Sequence, residues 1–396
     1  MKRAVVLFGA GASVEYKAPS TSGLTTDIEQ AVMADAVMKH VEGDAAYTAI
    51  KNGLEGYLRK PGIVNFEQIY HCARELIFTF PPTTGAVDEY RPLLYPFIKN
   101  RSGIARDTLR ALANKMVEVI YEKVSAPCGH ISISLKPLTY FIETLRKDYI
   151  TRIYSTNYDD FPLQAVPDLY TGFDPLPNTR PKAFEIDTFW TKSNVASIFH
   201  LHGSVHMGFP HPTTGHEIGE LFWFDDRAEA LKYSSITANE PPRMDGSTVP
   251  RTAIITGLDK LSGLQQRPLS HFYSAMAGDM MLADVIYVIG SGLGDLHLNT
   301  WLKEARSRNP VPPVLFIDWW DGDFLDHAKF ERNRKLIAMF HSLNIHIGPW
   351  DNGTKIGAAW TISKDRTSAV WDKGFQAFLN EPAALQQVLS RLTFIS

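Results

Sequence analysis

Ala4-Val5-Val6-Leu7-Phe8-Gly9-Ala10-Gly11-Ala12-Ser13 is the stretch on which the fold turns. Five consecutive apolar residues do not alternate, so they do not form a strand with one wet face. A strand apolar on both sides belongs inside a parallel sheet covered by helices. The run stops at Gly9-Ala10-Gly11, where the chain can turn sharply into a helix. Glycines there let backbone amides approach a pyrophosphate, and a helix N-terminus adds a dipole that favours negative charge. Position 14 is Val, so the third glycine of the dinucleotide fingerprint is missing. A plain strand-to-helix turn stays open as the alternative.

Other short apolar runs follow the same pattern: residues 150–155, 196–201, 253–256, 285–289, 314–318 and 345–347. Helical segments lie between many of them, which predicts an α/β fold built on a Rossmann-like parallel sheet. The core is expected over 1–25 and 149–350. A crossover helix needs only a dozen or so residues, so residues 26–148 are expected to be an inserted helical subdomain. Within it Thr26-x-x-Glu29 has capping-box spacing, Gly43 can end that helix, and Asn65-x-x-Gln68 starts another. Residues 104–124 give a third, by apolar spacing. Residues 161–193 and 209–250, rich in Pro, Gly and aromatics, are expected to be long functional loops. The end, 351–396, is expected to be a C-terminal helical tail.

Composition narrows the class. The 396 residues are 44% apolar and 21% charged, with a net charge of −3, an ordinary globular balance. A strongly basic nucleic-acid footprint is absent. Lys99, Arg101, Arg106, Arg110 and Lys115 gather around one helix, but in an acidic chain they read as a solvated or assembly face. Direct nucleic-acid binding is therefore not expected. Two cysteines, Cys72 and Cys128, exclude a disulfide framework and a four-thiolate zinc site, and fit a reducing cytosol. The start imitates a signal peptide, but its apolar part is short. Residues 280–296 carry Asp284 and Asp295 and fall short of a membrane span.

Three more polar turns stand at strand ends, where open α/β sheets bind ligands. Ser155-Thr156-Asn157-Tyr158-Asp159-Asp160 offers an amide able to donate and accept, suited to a ribose hydroxyl or a water; an Asx turn is the plain alternative. His200-Leu201-His202-Gly203-Ser204 presents an imidazole beside a glycine, suited to a general base. His200, His202 and His206 could instead share a metal. Gly290-Ser291-Gly292-Leu293-Gly294-Asp295 is a second phosphate- or ribose-binding turn. Asp318, ending its strand, is an acceptor for an adenosine ribose hydroxyl.

In order, Gly9-Ala10-Gly11-x-Ser13, then Ser155-Thr156-Asn157-Tyr158-Asp159, then Leu201-His202-Gly203, then Gly290-Ser291-Gly292-Leu293, the chain resembles the sirtuin NAD-binding family. The resemblance covers the α/β core in scattered blocks. It departs from the protein-deacylating members, which carry four zinc-binding cysteines between the His-Gly and the later glycine turn. Here 203–290 holds no cysteine, and the first glycine turn lacks their Pro-Asp-Phe-Arg. These departures, with the long insert, resemble the bacterial sirtuin-like NAD hydrolases of anti-phage defence, some of which assemble with a hexameric HerA-type ATPase.

The resemblance implies NAD⁺ as substrate, no zinc ribbon and no metal. Gly9, Ala10, Gly11, Ser13, Thr156, Asp159, Gly290, Ser291, Gly292, Asp295 and Asp318 would hold the dinucleotide; Asn157 and His202 would be catalytic. The expected activity is release of nicotinamide and ADP-ribose by a cytoplasmic homo-oligomer, with a HerA-type ATPase as partner. A zinc-free protein deacylase and a non-catalytic nucleotide sensor are the alternatives.

Overall fold

The computed structural model describes residues 2–59, 62–80, 94–98, 103–175, 181–210, 220–236, 251–258, 260–264, 266–320, 324–326, 336–348, 351–357 and 359–394. Lys99 and Arg101, and parts of the expected loops (176–180, 211–219 and 237–250), lie outside them.

Strand β1 (Lys2–Phe8) is buried from Arg3 onward, as its unbroken apolar run requires. It pairs in parallel with β2 (Tyr149–Ser155) on one side and β8 (Val285–Ile289) on the other. Beyond β2 lies β3 (Ser197–His200); beyond β8 lie β9 (Val314–Ile317) and β12 (Ser368–Trp371), all parallel. The chain thus winds one way from β1 to β3, returns, and winds the other way from β8 to β12. This is the 3-2-1-4-5-6 order of doubly wound sheets, whose switch point lies between the first and fourth strands. Here that is the gap between the ends of β1 and β8. The fold is α/β with a Rossmann-like parallel sheet.

Two antiparallel strands, β10 (Thr354–Ile356) and β11 (Trp360–Ile362), extend the β12 edge to eight strands. The tail is therefore not all helical. Ser368-Ala-Val-Trp371 is a fully buried run that finds a partner in β9, and this tertiary pairing decides its state. Helices Phe375–Leu379 and Pro382–Leu389 follow. Among the described residues two minor ribbons complete the strands: β4 (Met207–Gly208) with β5 (Phe222–Trp223), and β6 (Ser235–Ile236) with β7 (Arg251–Thr252). Residues 253–256 and 345–347, read as strands from sequence, are irregular; the first are buried, and of the second Ile345 and Ile347 are buried and His346 is exposed. Apolar runs this short do not specify a ladder.

Helices Thr21–Ala34, Ala36–His40, Gly43–Leu58, Phe66–Thr79 and Arg106–Gly129 pack together between β1 and β2. The first starts five residues earlier than Thr26: Ser20 caps it, its hydroxyl accepting from Gly23 N at 3.1 Å. Gly43 opens a helix and does not close one. Asn65 and Gln68 form a reciprocal capping box, each satisfying an otherwise unpaired amide. Helix Lys136–Asp148 lies on the sheet, with the Phe141 ring edge-on to Tyr287 of β8 at 5.8 Å. Of the described basic residues, Arg106 is buried and donates to Ile77 O, and Lys115 pairs with Asp35 and Glu118.

Candidate active site

The two glycine turns interlock at the switch point. Gly9 N donates to Ile289 O (2.9 Å), and Gly11 N donates to Gly290 O (2.8 Å). Gly290 has φ +62°, and a Cβ there would overlap Ala12 N. Only glycine combines that backbone conformation with so close an approach. Asn299 Nδ2 fixes the second turn by donating to Leu293 O at 2.7 Å.

A cleft of about 410 Å³ opens over these turns, a size in the range roughly 300–1,000 Å³ of small-molecule sites. Gly9, Ala10, Gly11, Ser13, Thr156, Asn157, Asp159, His202, Gly290, Ser291, Gly292, Asp295 and Asp318 all line it. Sequence positions more than 300 residues apart therefore meet at one place. Leu24, Phe66, Glu67 and Val124 line it too, so the helical block forms part of the wall.

Asn157 is a strut as well as a lining residue. Its Nδ2 donates to Gly9 O (2.8 Å) and to Ser13 Oγ (2.7 Å). Both amide protons are thereby committed, so Asn157 does not offer the donor that its residue type suggests. Only Oδ1 remains to face a ligand. Ser13 Oγ in turn donates to Asp159 Oδ2. Burial pushes the Asp159 carboxyl up to about 6, against the pull of the Ser13 hydrogen bond. Thr156 N donates to Phe8 O at 3.0 Å, tying this loop to the end of β1.

His202 follows β3 in a turn where Gly203 takes φ +83° and a Cβ would overlap Ala253 O. Its Nε2 lies 3.4 Å from His297 Nε2. Burial drives the His202 imidazole down to about 3, so it is neutral at physiological pH with a lone pair available. Asp295, the residue before helix Leu296–Arg306, gives no side-chain cap to that helix; its Oδ1 accepts from Lys260 Nζ at 2.9 Å. Burial opposes the Asp295 charge, but His202 and Lys260 outweigh it and hold the carboxyl below its ordinary range. Lys260 also reaches Glu67 Oε1 at 3.3 Å. Burial raises Asp318, also in the cleft lining, to about 6.

The alternative of a metal shared by His200, His202 and His206 is not what the chain builds. His200 Nδ1 faces Asn157 O at 3.1 Å. His206 faces Phe224 O through Nδ1 and Asp160 Oδ2 through Nε2, at 2.7 and 2.8 Å. Each imidazole thus points to a different partner. Burial opposes the Asp160 charge, but His206 and Arg227 bring its carboxyl to about 2, making the cluster an ionic brace beside the cleft. Sequence reading missed His297, Lys260 and Glu67. His297 stands two residues after Asp295 and was within reach of a spacing argument. The Lys260–Glu67 pair joins segments almost 200 residues apart, and local sequence carries no trace of it.

No protein-family model and no curated protein matches this chain. Among solved structures, it is similar to a Sir2 homologue in complex with NAD, at 11% identity over 87% of this chain and 88% of that one, with a TM-score of 0.36. It is also similar to Sir2Tm bound to a propionylated peptide (10% identity, 81% and 83% covered, TM-score 0.34). A Sir2 homologue mutant in complex with ADP-ribose gives 12% identity, 88% and 95% coverage, and a TM-score of 0.35.

Proposed function

We propose that the chain is an NAD⁺ glycohydrolase, releasing nicotinamide and ADP-ribose. The observation that carries this is the convergence of two interlocked glycine turns, a buried amide and a neutral histidine in one cleft at the switch point. Glycine turns that let a ligand approach the backbone closely suit a pyrophosphate, and Asp318 suits a ribose diol. Cleavage breaks the bond between ribose C1′ and the nicotinamide nitrogen, the electron pair leaving with nicotinamide. The ring is cationic before cleavage, so its departure needs no acid. The sugar passes through an oxocarbenium-like state, as in glycoside hydrolysis. Water adds to C1′ and loses a proton. Asn157 Oδ1 can accept from that water or from a ribose hydroxyl, and His202 takes the proton. A base as weak as buried His202 suffices, because water bonded to such a cationic carbon is strongly acidic.

An NAD⁺ hydrolase without restraint would deplete its own cell. Gating by a homo-oligomer and a HerA-type ATPase partner, as in anti-phage defence in the cytoplasm, is therefore part of the proposal. Among the described residues, no helix is long and apolar enough to cross a membrane, and both cysteines are free thiols.

The test is purified protein with NAD⁺ alone. Free nicotinamide with ADP-ribose supports the proposal, and release only when an acylated peptide is added makes the chain a deacylase. Binding without turnover, with and without the ATPase, makes it a sensor.

A further inference from the structure

The geometry points to a divalent-metal site inside the cleft, formed by His202 Nε2, His297 Nε2 and the Asp295 carboxylate, that takes a zinc-class ion and silences the base. The three side chains place one ligand atom each within 4.8 Å of one another. The separation of the two imidazole nitrogens is the informative number. At 3.4 Å it is long for a hydrogen bond, which runs roughly 2.7–3.2 Å from nitrogen. Two zinc–nitrogen bonds of about 2.0–2.1 Å at a tetrahedral angle set the nitrogens about 3.3–3.4 Å apart. The pair is spaced as two ligands of one ion.

Two further features fit. Tyr273 donates to His297 O at 2.9 Å, fixing the second ligand's backbone. Asp295 stands where an aspartate ordinarily caps its helix, yet its carboxylate makes no cap and turns to Lys260, which holds Oδ1. The Lys260 charge is itself balanced by Glu67, leaving the cluster with a net negative charge. Three protein ligands and an open side toward the cleft suit a four-coordinate ion with one exchangeable position.

Such an ion would use the His202 lone pair that the hydrolase mechanism needs, so zinc inhibits. This consequence rests on the proposed function; the site itself does not. A second cluster, His341, His346 and Asp351, lies on the surface and must be removed first. Binding is therefore measured on the full chain carrying His341→Ala and His346→Ala, with Zn²⁺ titrated against a chromophoric chelator. One equivalent should bind, and His297→Ala or Asp295→Asn should weaken it at least about tenfold, the least that disturbing a metal-site residue costs. His297→Gln covers the case in which His297→Ala does not fold, and in every variant Zn²⁺ should no longer raise Tm. Equal Zn²⁺ affinity in parent and His297 variants overturns the site. Nicotinamide release should fall in parallel with occupancy, and full turnover at saturating Zn²⁺ overturns the inhibition. A chain without hydrolase activity that still binds through these residues keeps the site and removes the hydrolase reading.

Discussion

Replacing Asn157 with alanine separates its two tasks. The variant loses the donors to Gly9 O and Ser13 Oγ, but neither partner is orphaned. Gly9 O still accepts from Ala12 N at 3.1 Å, and Ser13 Oγ still donates to Asp159. The cost is therefore that of two ordinary hydrogen bonds, about 1–3 kcal/mol. With 396 residues at roughly 2.1 cal/mol/K each, the unfolding entropy is about 0.8 kcal/mol/K. Tm should accordingly drop by only about 1–4 °C. Turnover should suffer far more. Oδ1 is the atom left to hold water or ribose, and the Gly9 turn loses its brace, so misplacement alone should cost about 10². The assay is nicotinamide release at 25 °C, with thermal unfolding of the same samples. Turnover above half the wild-type value would refute a role for Oδ1. A Tm drop far beyond 4 °C would show that the strut is the main task.

Four other outcomes are expected. His202→Ala should fold and lose about 10²–10⁴ in rate, read by the same assay. Asp159, raised to about 6, should make turnover fall as pH drops through 6, because protonation reverses its hydrogen bond with Ser13. His202, at about 3, contributes nothing to that limb, but Asp318, also raised to about 6, shares it. Asp159→Asn should therefore remove only the Asp159 part, and the double variant with Asp318→Asn should flatten the pH profile between 5 and 8. Burial lowers His200 to about 4, so its contribution to stability is complete above its unfolded value near 6.5. That contribution is lost by about 1.4 kcal/mol per unit as pH falls from there toward 4; His200→Asn should soften acid unfolding, measured by denaturant titration at pH 7 and 5. Gly290→Ala should fail to give soluble folded protein, since its Cβ meets the Ala12 backbone; a normally expressed, active variant would contradict the interlocked turns.

Much of the site was legible because its chemistry sits at strand ends, and strand ends are marked twice. An apolar run ends, and glycine or a small polar residue follows. Gly9, Asn157, His202 and Gly290 all carry that double mark, and the sheet order places the four ends side by side. What local sequence does not carry is commitment. Nothing in Ser155-Thr156-Asn157 reveals that Gly9 and Ser13 would use both amide protons. The tail failed for the related reason that Ser368-Ala-Val-Trp371 takes its state from β9, a partner 54 residues upstream of it at the paired Val314.

The helical block shows where such reading stops. From sequence it is an insertion, and an insertion suggests an assembly surface. In the structure its helix Phe66–Thr79 brings Glu67 to Lys260, Lys260 holds Asp295, and Asp295 stands beside the His202–His297 pair. Movement of that helix would break the Lys260–Glu67 contact and change the charge balance around the base without touching the glycine turns. If a partner or an oligomer gates turnover, this is the connection through which the block can reach the chemistry. Glu67→Gln tests it: the helix cap at Asn65 and Gln68 is left intact, while the pull on Lys260 weakens. The variant should keep its Tm within about 1 °C, as expected for a minor change away from the core, and should alter basal nicotinamide release. Unchanged basal release in Glu67→Gln would leave the helical block as a wall of the cleft and nothing more.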